Sequence, residues 1–217
     1  MLERPQAIIF DLDGTIIDSR DDVAYACNHA LTTLGKPARD VEEIRTMVGD
    51  GAKTLLARAF DLPADAPELA DALENFHRYY RSHPIDHTTV YPGVREWLSS
   101  LRIPVALATN KTQATAETVI DALHLRDAFS FIIGGGNGPL KPDPHSIHAC
   151  LKGLGVRASE TWMVGDGPQD VGAGRAAGCC TVGVLSGFHT DRLIQAAPDR
   201  LFPDMQTLAS FYATLIA

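Results

Sequence analysis

The sequence lacks the features that define several classes of protein. Only 4 of its 217 residues are cysteine, and Cys27, Cys150, Cys179 and Cys180 form neither a Cys-x-x-Cys spacing nor a paired set of Cys and His ligands. We therefore predict no disulfide framework and no zinc site, and expect small buried thiols. Basic residues are also few, with 19 Lys and Arg against 27 Asp and Glu and a net charge of −8. Such a surface disfavours nucleic acid and membrane partners.

Long apolar runs are missing as well. None approaches the roughly 18 residues that a membrane-spanning helix needs. The apolar run that follows residues 1–5 ends before Asp11 and is too short for the hydrophobic region of a signal peptide. We therefore expect a cytoplasmic protein. With 45% hydrophobic and 21% charged residues, the chain has the balance of a folded globular protein that buries a core.

Apolar strands alternate with helical segments over most of the chain. Buried strands are predicted at residues 7–10, 105–108, 129–133, 162–164 and 181–185, and helices at 94–101, 113–124, 145–154 and 168–177. This alternation is typical of βαβ units with right-handed crossovers. We therefore predict an α/β fold, in which a Rossmann-like parallel sheet is flanked by helices.

The stretch after the first strand has helical periodicity alone. One apolar stripe begins at Val23 and ends near Gly35, and further helices are predicted at 41–48, 52–60 and from Leu69 to Tyr80. An all-helical inserted domain is therefore expected at residues 19–87. Residues 1–18 and 88–217 then form the α/β core domain.

Polar residues follow four of the predicted strands. The segments are Asp11–Thr15, Thr109–Lys111, Gly134–Lys141 and Gly165–Asp170. Because parallel strands open their carboxyl ends on one edge of a sheet, these segments should converge. Their carboxylates suit a hard cation and nucleophilic attack, their hydroxyl and amide groups suit phosphoryl oxygens, and a lysine balances charge. The combination predicts a site for phosphoryl transfer.

Each segment also has a simpler structural interpretation. Asp11–Gly14 suits a tight turn, Thr109–Asn110 could cap the helix at 113–124, and Lys141 could be a solvated loop residue. Asp166 and Asp170 could be carboxylates favoured by a helix dipole. The functional interpretation depends on all four segments meeting at one sheet edge.

In order and spacing, the segments resemble the four motifs of the haloacid dehalogenase superfamily. The matching stretches are Asp11–Thr15, Thr109–Asn110, Lys141–Pro144 and Gly165–Asp170. The resemblance covers essentially the whole chain, and it implies that the insertion is the α-helical cap of that superfamily. Within it, Val48–Lys53 and Tyr91–Gly93 look most like the phosphoglycolate phosphatases.

The resemblance implies a catalytic role for three residues. Asp11 would be the nucleophile that becomes an aspartyl-phosphate. Asp13 would protonate the leaving alkoxide and then activate water. Lys141 would stabilise both the phosphate and the Asp11 carboxylate.

The resemblance also implies the groups that bind phosphate and metal. Thr109 and Asn110 would hold the transferring phosphoryl group together with Lys141. Asp166 would be the acidic ligand of Mg²⁺, with Asp11 and the main-chain carbonyl of Asp13 as further ligands, and Asp170 would orient Lys141 or a metal-bound water.

Three further positions bear on metal affinity and specificity. Gly167 departs from the family pattern, which often has Ser or Thr there, so a hydroxyl near the metal is missing. Arg45 and Lys53 in the insertion could reach a substrate carboxylate when the cap closes. Exposed helix cations are more often simply solvated, and that alternative stays open.

The function implied is that of a Mg²⁺-dependent phosphatase acting on a small phosphomonoester such as 2-phosphoglycolate, as a monomer or homodimer. A pyrophosphatase and a sugar-phosphate phosphatase or mutase would use the same core. A receiver-type signalling module also combines Asp, Thr, Lys and Mg²⁺. However, its phosphorylated Asp does not follow the first strand, and it has no use for Asp13 or for a helical insertion.

Overall fold

The computed structural model describes residues 3–136 and 138–216, which divide into two compact units. One unit is the chain before Ser19 and after Thr89, and the other is Ser19–Thr89. The first contains the main sheet, whereas the second is built from helices. That the helical unit serves as a cap stays a prediction.

Along the chain, helices and strands follow one another from β1 to α10. In order, they are β1 (Ala7–Phe10), β2 (Ile17–Asp18), α1 (Arg20–Thr33), α2 (Val41–Arg45), α3 (Ala52–Phe60), α4 (Leu69–Ser82), β3 (Thr89–Val90), α5 (Val94–Ser100), β4 (Val105–Thr112), α6 (Gln113–Ala122), β5 (Phe131–Gly135), α7 (His145–Leu154), β6 (Thr161–Gly165), α8 (Pro168–Ala177), β7 (Cys180–Val184), α9 (Thr190–Ala196), β8 (Arg200–Phe202) and α10 (Met205–Ile216). Short 3₁₀ turns precede β5 and β6.

The main sheet has six strands in the order β5-β4-β1-β6-β7-β8, and every neighbouring pair is parallel. This confirms the predicted Rossmann-like α/β fold. The chain adds β4 and β5 on one side of β1 and then returns to add β6, β7 and β8 on the other. A ligand crevice is expected where the strand order reverses, outside the carboxyl end of β1. Asp11 is the first residue beyond that end.

Helices cover both faces of the sheet. On one face Ile9 packs in a buried cluster with Met163 and with residues of α7 such as Ile147. On the other face the ring of Phe10 meets the ring of Trp97 edge to face, with their centroids 5.4 Å apart. Burying an Ile or Phe side chain fully contributes roughly 1.5–3 kcal/mol. Strand β1 is therefore a rigid support for the residues that follow it.

A buried carboxylate near the start of the helical unit forms hydrogen bonds with residues near its end. Asp22 near the start of α1 accepts hydrogen bonds from the backbone N–H groups of His87 and Thr88, at 3.0 and 2.8 Å, and from the Thr88 hydroxyl at 2.6 Å. Three donors satisfy this carboxylate, which offsets the cost of burying it. Asp22 is thus a structural residue of this unit.

Several predicted boundaries were wrong. Strand β4 continues through Thr112, with an irregular register between Ala108 and Thr112, so Thr109 and Asn110 lie within the end of the strand instead of after it. Helix α2 ends at Arg45, not at residue 48, and β5 begins at Phe131. Strand β8 and helices α9 and α10, which follow residue 185, were not predicted. Among the described residues, no helix is both long and apolar enough to cross a membrane.

Candidate active site

Lys141 forms the centre of a charged cluster at the carboxyl edge of the sheet. Its ammonium lies 2.8 Å from Oδ1 of Asp11, 2.7 Å from Oδ1 of Asp170 and 2.7 Å from the carbonyl oxygen of Ala108. An ammonium group has three N–H donors, and these three acceptors engage all of them. The side chain of Lys141 is fully buried. The alternative of a solvated loop lysine is therefore wrong.

Three buried carboxylates crowd the same place. One oxygen from each of Asp11, Asp166 and Asp170 lies within 4.8 Å of the others. Burial raises the pKa of Asp11 from 3.8 to about 7, with Asp170 adding to the rise and Lys141 opposing it. Burial, together with the charges of Asp170 and Asp11, also raises the pKa of Asp166 well above its ordinary range. Three carboxyl groups thus share one ammonium group here, and a bound cation would favour their ionised forms.

Lys141 keeps its charge in this cluster. Burial lowers its pKa, but the carboxylates of Asp11 and Asp170 outweigh that effect and raise the pKa above the usual value of a lysine. A buried ammonium of this kind is stable because both of its ionic partners are in direct contact. It provides a fixed positive charge beside the Asp11 carboxylate.

Asp166 follows β6 and is held by two loops. Its Oδ2 accepts the backbone N–H of Phe188 at 2.6 Å, and the Thr15 hydroxyl lies 3.5 Å from Oδ1. Gly14 has φ +85°, and a Cβ at that position would lie 2.2 Å from Oδ2 of Asp166. A glycine is therefore required for this carboxylate to approach the turn after Asp11.

Asn110 binds the backbone on both sides of Lys141. Its Oδ1 accepts the Lys141 N–H at 2.8 Å, and its Nδ2 donates to the Lys141 carbonyl oxygen at 3.1 Å. The residue at the N-cap of α6 is Thr112, so the alternative that Thr109 and Asn110 cap this helix is wrong. The Thr109 hydroxyl instead accepts the backbone N–H of Lys111 at 3.1 Å.

Asp13 has a cationic partner that the sequence analysis did not assign. The ammonium of Lys111 lies 3.2 Å from Oδ1 of Asp13, and 8% of the Lys111 side chain is exposed. Lys111 belongs to one of the four strand-end segments. The presence of this second lysine next to Thr109 and Asn110 could have indicated a cationic partner for an aspartate of the site.

The side chain of Gln169 fills the space beside Gly167. A Cβ at residue 167 would lie 2.2 Å from Nε2 of Gln169. Within the described residues, Oε1 of this buried glutamine has no hydrogen-bond partner. The backbone N–H of Gly167 donates to Oδ2 of Asp170 at 3.0 Å, which fixes the first turn of α8. The side-chain amide of Gln169 thus occupies the space that a Ser or Thr side chain at residue 167 would need.

Arg45 and Lys53 lie in the helical unit. Arg45 Nε donates to Asp21 at 2.8 Å, and the guanidinium also pairs with Glu42. Lys53 is exposed in the first turn of α3. The structure thus shows Arg45 bound by acidic residues of its own unit.

The carboxyl edge of this parallel sheet carries a buried Asp–Lys pair and a group of carboxylates that could hold a metal ion. Such a site is typical of enzymes with a Rossmann-like fold. The haloacid dehalogenase-like hydrolase family matches residues 8–184. The chain belongs to this family, which confirms the resemblance seen in the sequence and the prediction of a hydrolytic enzyme.

Curated relatives and solved structures agree with this assignment. A phosphoglycolate phosphatase of Chromobacterium violaceum is 42% identical over 195 residues, covering 86% of this chain and 88% of its own. One from Pseudomonas savastanoi is 38% identical, covering 94% of this chain and 78% of its own. The crystal structure of a predicted phosphoglycolate phosphatase from Haemophilus somnus has a TM-score of 0.86 at 26% identity, covering 97% of this chain and 99% of that one.

Proposed function

We propose that the protein is a Mg²⁺-dependent phosphatase that hydrolyses a small phosphomonoester through an aspartyl-phosphate on Asp11. The observation that carries the proposal is the contact of Lys141 with Asp11 inside a group of buried carboxylates. The substrate suggested by the names of the curated relatives is 2-phosphoglycolate. A small phosphorylated metabolite is therefore the expected partner.

The donor set fits a hard divalent cation. Carboxylate oxygens are the ligands that Mg²⁺ prefers, and the carboxylates of Asp11 and Asp166 lie in one buried group. These two residues, with the main-chain carbonyl of Asp13, would hold Mg²⁺. The bound cation would neutralise negative charge on the phosphoryl oxygens, because a carboxylate and a phosphate charge about 4 Å apart repel by about 4 kcal/mol at an effective dielectric constant near 20.

The first step transfers the phosphoryl group to the protein. A carboxylate oxygen of Asp11 forms a bond to phosphorus, and the bond from phosphorus to the leaving oxygen breaks. The leaving oxygen keeps the electron pair and takes a proton from the carboxyl group of Asp13. Thr109 holds a phosphoryl oxygen during this step, Lys141 supplies a fixed positive charge beside the phosphoryl group, and Asn110 keeps the backbone of Lys141 in place.

The second step regenerates the enzyme. Asp13, now a carboxylate, takes a proton from a water molecule whose oxygen attacks phosphorus. The bond between Asp11 and phosphorus breaks, the Asp11 carboxylate is restored, and inorganic phosphate leaves. Asp170 orients Lys141 throughout, because its Oδ1 accepts from the ammonium and its Oδ2 from the backbone of Gly167.

The helical unit completes the proposal. We assign residues 19–87 the role of a cap that excludes water and selects the leaving group, as lids do in other enzymes. Arg45 and Lys53 are its candidates for contact with a substrate carboxylate. Breaking the pairs of Arg45 with Asp21 and Glu42 would carry a modest cost, since these groups are partly exposed.

The decisive experiment is a steady-state rate screen with and without Mg²⁺. Phosphoglycolate, hexose phosphates, nucleotides and pyrophosphate are compared as substrates. We expect the highest kcat/KM for a small phosphomonoester and loss of turnover when Mg²⁺ is chelated. A preference for pyrophosphate, or isomerisation of a sugar phosphate without release of phosphate, would overturn the proposal.

The covalent intermediate is tested separately. Asp11→Asn should abolish turnover with the fold intact, since the amide keeps the shape and loses the attacking charge. Asp13→Asn should still accept a phosphoryl group on Asp11 but release it slowly, so intact-protein mass spectrometry should detect a phosphorylated protein. Near-normal steady-state rates for Asp13→Asn would contradict its role in proton transfer. Asp127→Asn, at an exposed turn of the α/β unit, is the matched control.

A further inference from the structure

The α/β unit places two lysines among the acidic residues at the carboxyl edge of its sheet, and each contacts a different aspartate. Lys141 lies 2.8 Å from Asp11, and Lys111 lies 3.2 Å from Asp13. Little of either acidic side chain is exposed, 8% for Asp11 and 18% for Asp13. Solvent therefore screens neither pair strongly.

Lys141 has no free N–H donor with which to replace the contact of Lys111 with Asp13. The three donors of Lys141 are engaged by Asp11, Asp170 and the carbonyl oxygen of Ala108. The orientation of the Asp13 carboxyl group therefore depends on other contacts, and Lys111 supplies an ionic one.

Lys111 is itself held at both ends. Its backbone N–H donates to the hydroxyl of Thr109 at 3.1 Å, and it lies near the end of β4. Its side chain is almost entirely buried, so its ammonium has few alternative positions. A charge fixed in this way restricts the rotamers of its ionic partner.

From these contacts we propose that Lys111 is a positioning residue for proton transfer by Asp13. The inference rests on the proposed phosphatase function. Asp13 gives its proton to the leaving oxygen as the bond to phosphorus breaks, and it later takes a proton from water. Lys111 keeps its own protons and fixes Oδ1 of Asp13, so that the carboxyl group faces the reacting oxygen. It makes no contact with the phosphoryl group in this role.

The proposal predicts a dependence on the leaving group. An alkoxide needs a proton as it leaves, whereas p-nitrophenolate leaves without one. General acid catalysis contributes about 10²- to 10⁴-fold where it is needed. A variant that misplaces Asp13 should therefore lose more activity on alkyl phosphates than on p-nitrophenyl phosphate.

The test compares Lys111→Ala and Lys111→Arg with the native protein. For Lys111→Ala we expect kcat/KM to fall at least about 10-fold on an alkyl phosphate and less than about 3-fold on p-nitrophenyl phosphate. Slow hydrolysis of the intermediate should also produce a burst of p-nitrophenol. Lys111→Arg, which keeps the charge, should recover most of the lost rate. Lys152→Ala, at an exposed position of α7, should behave as the native protein.

A double-mutant cycle isolates the contact with Asp13. In an Asp13→Asn background, Lys111→Ala should cause less than about a 2-fold further loss, because residues that act as one unit are not additive. Equal losses on both substrates, additive losses in the cycle, or no recovery with arginine would overturn the proposal. Chemical denaturation of each variant identifies any that fail to fold, and Lys111→Met then replaces Lys111→Ala.

The outcomes separate this inference from the proposed function. If the native protein hydrolyses no phosphomonoester or never phosphorylates Asp11, the proposed function fails. If the native protein is active and Asp13→Asn is impaired, but Lys111→Ala loses equal activity on both substrates, the role of Lys111 alone fails.

Discussion

Lys141 donates to Oδ1 of Asp170 at 2.7 Å across 29 residues of sequence, and this contact joins the loop after β5 to the first turn of α8. The same ammonium contacts Asp11, so one positive charge serves two buried carboxylates. Asp166 adds a third. The group therefore has three carboxyl groups for one ammonium group, a composition that suits a divalent cation.

Removal of the central ammonium should destabilise the protein. Lys141→Met leaves Asp11 and Asp170 without their shared partner, and breaking a buried ion pair from one side costs about 3–5 kcal/mol. Urea unfolding at pH 8 in the presence of a chelator measures this loss, and turnover should vanish as well. Lys152→Met, on an exposed position of α7, is the control, and an equal loss in both variants would contradict the central role of Lys141.

The raised pKa of Asp11 predicts a pH dependence of stability. Burial raises this pKa from 3.8 to about 7, so between these values the unfolded chain has lost a proton that the folded protein keeps. The free energy of unfolding of the metal-free protein should therefore fall as pH rises through this window. Asp166, whose pKa is also raised, contributes with the same sign.

Urea titrations in chelator at pH 4.5 and pH 7.5 check this dependence. The Asp11→Asn variant, which cannot ionise at that position, should show a smaller decrease over the same interval. Added Mg²⁺ should stabilise the native protein more at the higher pH, because protons compete with the cation for these carboxylates. A variant that follows the native curve would show that Asp11 does not titrate in this range.

Asp166 should determine the affinity for Mg²⁺. Asp166→Asn removes a charge from the buried group, and we expect the dissociation constant measured by calorimetry to rise at least about 10-fold. The Mg²⁺ concentration for half-maximal rate should rise in parallel. Asp127→Asn removes an exposed carboxylate from the same unit and should leave both values unchanged. An unchanged dissociation constant for Asp166→Asn would remove it from the ligand set.

Arg45 and Lys53 should affect specificity more than chemistry. If they contact a substrate carboxylate, Arg45→Ala and Lys53→Ala should lower kcat/KM for 2-phosphoglycolate more than for p-nitrophenyl phosphate. Lys36→Ala, an exposed lysine of the same helical unit, serves as the control. Equal losses on both substrates would assign the two residues to the stability of their unit instead.

Much of the fold was predictable because its signals are local. The apolar residues of β1 have to be buried on both faces, and a helix between successive strands leads to a parallel sheet. Helices α3, α7 and α8 begin and end where the residue pattern placed them. Strand β8 was missed because it has only three residues, two of them exposed, and leaves no clear apolar pattern.

The amino-acid sequence by itself determined which chemical groups stand near the carboxyl ends of the strands, because strand periodicity and chain order are properties of the local pattern. Only the tertiary structure decided how these groups pair. Lys141 contacts both Asp11 and Asp170, Lys111 contacts Asp13, and Asn110 binds the backbone of Lys141. These contacts depend on the irregular end of β4 and on the loops that pack around it. Distances of about 3 Å between residues far apart in sequence arise only when the whole sheet has formed.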